Sequence, residues 1–211
     1  PVMAEGMQKE RLETLILGNG TGTFATQCER YFDNMQIEGV EIDEKITKLA
    51  EAYFKLPENV NVITYDGRAY LNVVDKKYDV IMVDAYQDIT IPFQMSSVEF
   101  FTLVKDHLTE NGVMVVNMNM RGEEEGNINQ YLADTISAVF DEVYTIDVPG
   151  TTNRELFASN SGKMTENLSS GIESLSDLEL SEMMQTVFAG LKPYQAGDYR
   201  MTDDKAPVEL L

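Results

Sequence analysis

Four places in the chain set glycine or polar residues directly after a short apolar run, and each is suited to chemistry. The first is Gly18-Asn19-Gly20-Thr21-Gly22-Thr23, which follows Thr14-Leu15-Ile16-Leu17. Glycines let a backbone turn tightly and approach a ligand closely. A dinucleotide fingerprint would place its third glycine where Thr23 stands; here the third is Gly22. That spacing favours a nucleoside–amino-acid cofactor over a nicotinamide dinucleotide. The second is Glu41, followed by Ile42. A carboxylate ending a second strand can accept from both hydroxyls of a ribose, or it can be a solvated strand end. The third is Asp66-Gly67, where a carboxylate could accept from an adenine amino group, although the pair is also an ordinary turn. The fourth is Asp84, with Ala85, Tyr86, Gln87 and Asp88 behind it. Asp84 could orient a substrate and take or relay its proton, or it could cap a loop.

The elements that must carry these residues follow from the pattern around them. Apolar runs over 14–17, 36–40, 60–65, 78–83 and 113–117 read as strands buried on both faces. Between them, 24–32, 44–54, 67–74 and 96–108 fit helices, with Asp43 as a cap and Ser96-Ser97-Val98-Glu99 as a capping box. A further helix is expected over 127–140, then a terminal strand pair over 142–148 and 155–158, and a last helix over 177–189. Strands alternating with helices predict an α/β fold: a doubly wound, mostly parallel sheet of Rossmann-like type with an antiparallel terminal pair. In such sheets ligands lie outside the carboxyl ends of the strands, where all four constellations fall. Residues 160–177 are polar and Ser-rich and are expected to form a mobile loop or lid. The length of 211 residues suits a single domain over 1–211.

Composition narrows the function. The formal net charge is −20, which argues against nucleic acid, whose phosphates need cationic partners, and is compatible with a cationic substrate. The lone histidine, His107, reads as a favourable helix C-terminal residue, so no histidine-based metal site is expected. The lone cysteine, Cys28, reads as a small packing residue and fits a reducing cytoplasm. No apolar run is long enough to insert in a membrane. The chain opens on Pro1 rather than Met, as a processed chain or a piece of a longer one does.

Taken together, these residues resemble the spermidine synthase-like polyamine aminopropyltransferases, which share the fold of the S-adenosylmethionine-dependent methyltransferases. The carriers are the stretch from Leu15 to Gly22, Val40-Glu41-Ile42-Asp43, Tyr65-Asp66-Gly67-Arg68-Ala69-Tyr70-Leu71 and Tyr78-Asp79-Val80-Ile81-Met82-Val83-Asp84-Ala85. Ile91-Pro92, Glu99-Phe100-Phe101 and the tail Thr202-Asp203-Asp204-Lys205-Ala206-Pro207-Val208-Glu209 complete the match.

The resemblance implies roles. Gly18, Asn19, Gly20 and Gly22 would hold the amino-acid or aminopropyl part of S-adenosylmethionine or its decarboxylated form. Glu41 and Ile42 would hold the ribose side, Asp66 and Gly67 the adenine, and Asp84 and Ala85 the reacting centre. Tyr86, Gln87 and Asp88 would meet a small-molecule amine acceptor, with Asp84 and Asp88 catalytic and no metal required. A homodimer is a further expectation. The chain departs from the family's pattern in four ways. Thr21 replaces an aspartate of the glycine turn, and Gln87 replaces a second catalytic aspartate. Pro149-Gly150 lacks a following tyrosine, and residues 1–211 are expected not to include the family's small N-terminal β domain. Two other readings stay open: a methyltransferase using intact S-adenosylmethionine, and a degenerate nucleoside-binding module.

Overall fold

The computed structural model describes residues 1–5, 7–86, 91–118 and 125–206; Gln87, Asp88 and the tail's Pro207-Val208-Glu209 lie outside the described residues. Its strands are β1 (Leu12–Leu17), β2 (Met35–Glu41), β3 (Asn61–Thr64), β4 (Tyr78–Val83), β5 (Leu108–Met118), β6 (Glu142–Asp147), β7 (Arg154–Ser159) and β8 (Lys192–Pro193). The helices are α1 (Thr23–Tyr31), α2 (Glu44–Tyr53), α3 (Gly67–Val73), α4 (Val98–Asp106), α5 (Ile128–Ser137), α6 (Met164–Ser174) and α7 (Leu178–Gly190).

The sheet order is β3-β2-β1-β4-β5-β7-β6-β8. The first five of these strands pair in parallel, whereas β7 pairs antiparallel with both β5 and β6. The expected sheet is thus the observed one, with β8 added at the edge.

Side chains alternate across the sheet and build two cores. Leu15, Leu17, Ile81, Val83, Met114 and Val116 face α3, α4 and α5, where Tyr70, Phe100, Phe101 and Ile136 are buried. Ile16, Val80, Met82 and Val113 face α1, α6 and α7, against Ala25, Cys28, Leu168 and Leu180. Strands apolar on both faces are what a sheet covered on both sides requires.

Two local expectations need correction. Residues 160–177 are not an open loop: most of the stretch forms α6, which buries Met164, Leu168 and Gly171 and packs on the short 3-10 turn Val2–Ala4. Serine content hides the stripe of apolar residues at four-residue spacing. The α4 cap also sits one residue later than expected. Ser97, not Ser96, accepts from Phe100 N–H at 3.2 Å. Glu99 accepts from Asp203 N–H at 3.0 Å instead of closing a capping box.

That contact belongs to a tail clasp. Arg68 donates two hydrogen bonds to Asp203, at 2.7 and 2.6 Å, and Ser97 Oγ donates a third at 2.5 Å. The last described segment is thereby tied across α3 and α4, with Met201 fully buried.

Candidate active site

The parallel strands end together, and their ends open on a cavity of about 460 Å³. β1 runs into Gly18, whose φ of +86° suits glycine alone; an added Cβ would lie 2.5 Å from the Asp84 carbonyl oxygen. Gly20 turns the chain again with φ +53°, and nothing lies within 4 Å of where its Cβ would stand. That space is cavity, so a ligand can lie directly against the backbone. Gly18 and Gly20 both line the wall.

Glu41 closes β2 and is only 6% exposed. Its Oε2 accepts from Gly20 N–H at 2.9 Å and its Oε1 from Asp43 N–H at 3.0 Å. The carboxylate therefore anchors the glycine turn while lining the cavity beside Ile42. A carboxylate has about four acceptor sites, so it retains capacity for a diol.

Asp66 is the N-cap of α3, accepting from Ala69 N–H at 2.7 Å through Oδ1. It lines the same wall with Gly67, Tyr65 and Met95. Asp84, one residue past β4, completes it with Ala85 and Tyr86. The Tyr86 hydroxyl donates to the Asn117 carbonyl, which fixes the chain leaving β4 onto β5.

The structure thus brings Gly18, Gly20, Glu41, Ile42, Asp66, Gly67, Asp84, Ala85 and Tyr86 to one cavity. It does not bring Asn19 or Gly22 there. The Asn19 side chain is buried behind the turn, where a Cβ on Gly39 of β2 would lie 2.8 Å from its Oδ1. Gly22 caps α1 and faces Leu56. Gln87 and Asp88 lie outside the described residues.

The charge of the wall is one-sided. Glu41, Asp43, Asp66 and Asp84 line it, and among the described residues no lysine or arginine does. Such a wall suits a ligand carrying positive charge.

Asp84 has a neighbourhood that its sequence position did not reveal. Asn117 Nδ2 donates to Asp84 Oδ1 at 3.0 Å. Burial raises the Asp84 carboxyl above the ordinary carboxylate range, and the Asn117 hydrogen bond partly opposes this. Asn117 on β5 pairs in register with Glu155 on β7. Burial, and then the Asp84 charge, push Glu155 up to about 8. Glu155 was missed because it reads merely as the start of the last strand. The available signal is an acidic residue opening a run that is otherwise apolar.

The remaining chemical side chains take no part. Burial pushes the Cys28 thiol up to about 11, which keeps it a packing residue. His107 caps α4, with its ring nitrogens 2.8 Å from the Leu103 carbonyl and 3.1 Å from the Val74 carbonyl. Among the described residues, no group of three or more His, Cys, Asp or Glu is placed to hold a metal. Among them, too, no helix is long and apolar enough to cross a membrane.

The sheet order, with its cavity at the strand ends, is that of the methyltransferase-like fold. The human methyltransferase-like protein 13, crystallised in complex with SAH, superposes with TM-score 0.68 at 22% identity, covering 96% of each chain. A probable spermidine synthase from Corynebacterium glutamicum superposes with TM-score 0.67 at 18% identity, covering 93% of this chain and 79% of its own. The spermine/spermidine synthase domain matches residues 3–168, and the chain belongs to that family. A probable polyamine aminopropyl transferase of Bifidobacterium longum is 51% identical over 214 residues, 93% of this chain and 48% of the relative. The polyamine aminopropyltransferase of Vibrio vulnificus is 28% identical over 150 residues, 69% of this chain and 49% of that protein. The chain therefore spans about half the length of the curated relatives it matches.

Proposed function

We propose that the chain is the cofactor-binding and catalytic domain of an aminopropyltransferase, moving the aminopropyl group of decarboxylated S-adenosylmethionine to a small-molecule amine such as a polyamine. The observation that carries this reading is the wall of four carboxylates with no described cation. Decarboxylated S-adenosylmethionine is a dication, a sulfonium plus an ammonium, and has no carboxylate to repel. The intact cofactor would bring its carboxylate into the same wall.

Within this reading Gly18 and Gly20 admit the cofactor against the backbone, Glu41 accepts from its ribose, and Asp66 and Tyr65 border its adenine. The chain's own contribution to the chemistry centres on Asp84. An alkyl amine has a pKa near ~10.4 and arrives as an ammonium. Asp84 takes one proton, and the freed nitrogen lone pair attacks the methylene carbon bonded to sulfur. The carbon–sulfur bond breaks with its electrons going to sulfur, leaving a neutral thioether and a secondary ammonium. A carboxyl raised above its ordinary range is a better proton acceptor than an exposed one. Alignment of nitrogen and carbon on a rigid strand end supplies further acceleration.

Titration calorimetry with the two cofactors tests the assignment. The decarboxylated form is expected to bind at least about tenfold more tightly, the worth of one unfavourable charge contact of about 1.4 kcal/mol. Equal or tighter binding of the intact cofactor would refute it and favour methyl transfer.

A further inference from the structure

We propose that Glu155 binds the ammonium of the amine acceptor together with Asp84, so that two carboxylates on either side of β5 share the substrate's charge. The inference rests on the aminopropyltransferase reading and adds to it a residue that neither the glycine turn nor the strand-end pattern points to.

Three observations carry it. First, Asp84, Asn117 and Glu155 form a row across β4, β5 and β7: Asn117 donates to Asp84 at 3.0 Å, and Asn117 and Glu155 are register partners. Directly opposed residues of an antiparallel pair lie on the same face of the sheet, with Cβ atoms about 5 Å apart. Second, this row ends in acceptors that have no donor among the described residues. Asn117 Oδ1 and Glu155 Oε2 are both buried and without a hydrogen-bond partner among them. Buried acceptors left unpaired are costly, and native proteins keep few of them without a reason. Third, among the described residues no lysine or arginine lines the space around Glu155. It lines an apolar cavity of about 470 Å³ between the sheet, α1 and α7, walled by residues such as Met82, Phe157 and Val187 and distinct from the strand-end cavity that Asp84 lines. The polar side chains sharing that cavity are Gln27, Cys28 and Tyr31, none of them a cation; the Pro1 amine also lines it, and burial weakens its hold on a proton. The charged group acting on Glu155 is Asp84, of like sign.

An ammonium fits these requirements where a neutral or anionic group does not. It offers three donors and no acceptor, and one positive charge relieves the repulsion between two carboxylates. In this arrangement Asp84 and Glu155 hold the nitrogen, one of them takes its proton, and Asn117 keeps Asp84 in place. After transfer the product nitrogen is again cationic, and it leaves when the carboxylate returns the proton to water.

The test is the Glu155→Gln variant, which keeps the side chain's shape and removes its charge. Affinity for decarboxylated S-adenosylmethionine is measured by calorimetry. Affinity and KM for the acceptor are measured with 1,4-diaminobutane and spermidine as probes. The expected result is cofactor affinity within about twofold of the parent and an acceptor KM raised roughly 10- to 100-fold, the worth of a charge-assisted hydrogen bond. Glu155→Asp, with its carboxylate one methylene back, is expected to fall between the two and serves if the glutamine variant misfolds. A folded variant with unchanged acceptor KM and affinity overturns the inference while leaving aminopropyl transfer standing. A parent that binds an amine without transferring to it refutes the transfer reading, and the affinity comparison still decides Glu155. A parent that binds no amine overturns both.

Discussion

Replacing Glu41 by alanine removes two things at once, and the structure separates them. In the folded chain the carboxylate accepts from Gly20 N–H at 2.9 Å and from Asp43 N–H at 3.0 Å, and it is 6% exposed. Alanine leaves both donors without that partner and loosens the glycine turn. Hydrogen bonds to a charged group contribute about 1.5–3 kcal/mol each, although water entering the vacated space recovers part of this. A net loss of about 2 kcal/mol corresponds to a fall in Tm of roughly 4–8 °C for a domain of this size. The second loss is the contact to the cofactor's ribose. One charge-assisted hydrogen bond there is again worth about 1.5–3 kcal/mol, or a factor of roughly 10–150 in Kd. Scanning calorimetry measures the first quantity, and titration with decarboxylated S-adenosylmethionine well below the variant's Tm measures the second. A lower Tm with unchanged affinity would confine Glu41 to holding the turn and refute its ribose role. Unchanged Tm would show that the two backbone contacts carry no net stability.

Asp84→Asn keeps the Asn117 side, removes the proton acceptor, and is expected to cut turnover roughly 10²–10⁴-fold with an undiminished Tm; a variant as active as the parent removes Asp84 from the chemistry. Gly20→Val places a branched side chain in the cavity at φ +53°, so cofactor binding is expected to be lost along with some stability. Normal binding by that variant would mean the ligand lies elsewhere. Glu155 gives a pH test. Its carboxyl is pushed from the ordinary range near 4.5 up to about 8, so the folded chain holds that proton more tightly than the unfolded one. Its contribution to stability is therefore present at acid pH and lost as the pH rises through about 8. Glu155→Gln should gain Tm relative to the parent as the pH goes from 5 to 9, and a difference that stays flat across that range contradicts the shift.

The strand ends were legible in the sequence because each announces itself locally. A strand-like run stopping at Gly18, Glu41, Asp66 or Asp84 marks the point where a strand leaves the sheet, and parallel strands leave at the same edge, although the expectation of burial on both faces fails for β3, which is only partly covered. Asn117 and Glu155 were not legible as a pair. Their meeting depends on β7 returning antiparallel beside β5 in one register, which is a property of the assembled sheet. The same holds for the clasp between Arg68 and Asp203, which are far apart in the chain. Helix α6 was misread because Ser-rich composition outweighed the apolar positions Met164, Leu168 and Ile172, which pack against the N-terminal turn. Asn19 sits in a ligand-type motif, yet its side chain fills the space that Gly39 leaves on β2. Which way a turn residue points is decided by its neighbour across the sheet.

Mass spectrometry of the products formed by the purified protein tests the central claim most directly. The protein is incubated in parallel with decarboxylated and intact S-adenosylmethionine and a panel of diamines and polyamines. The account predicts an acceptor heavier by one aminopropyl group and a matching amount of neutral thioether from the decarboxylated cofactor, with no product from the intact one. Methylated acceptor from the intact cofactor, with no aminopropyl adduct from the other, would contradict it.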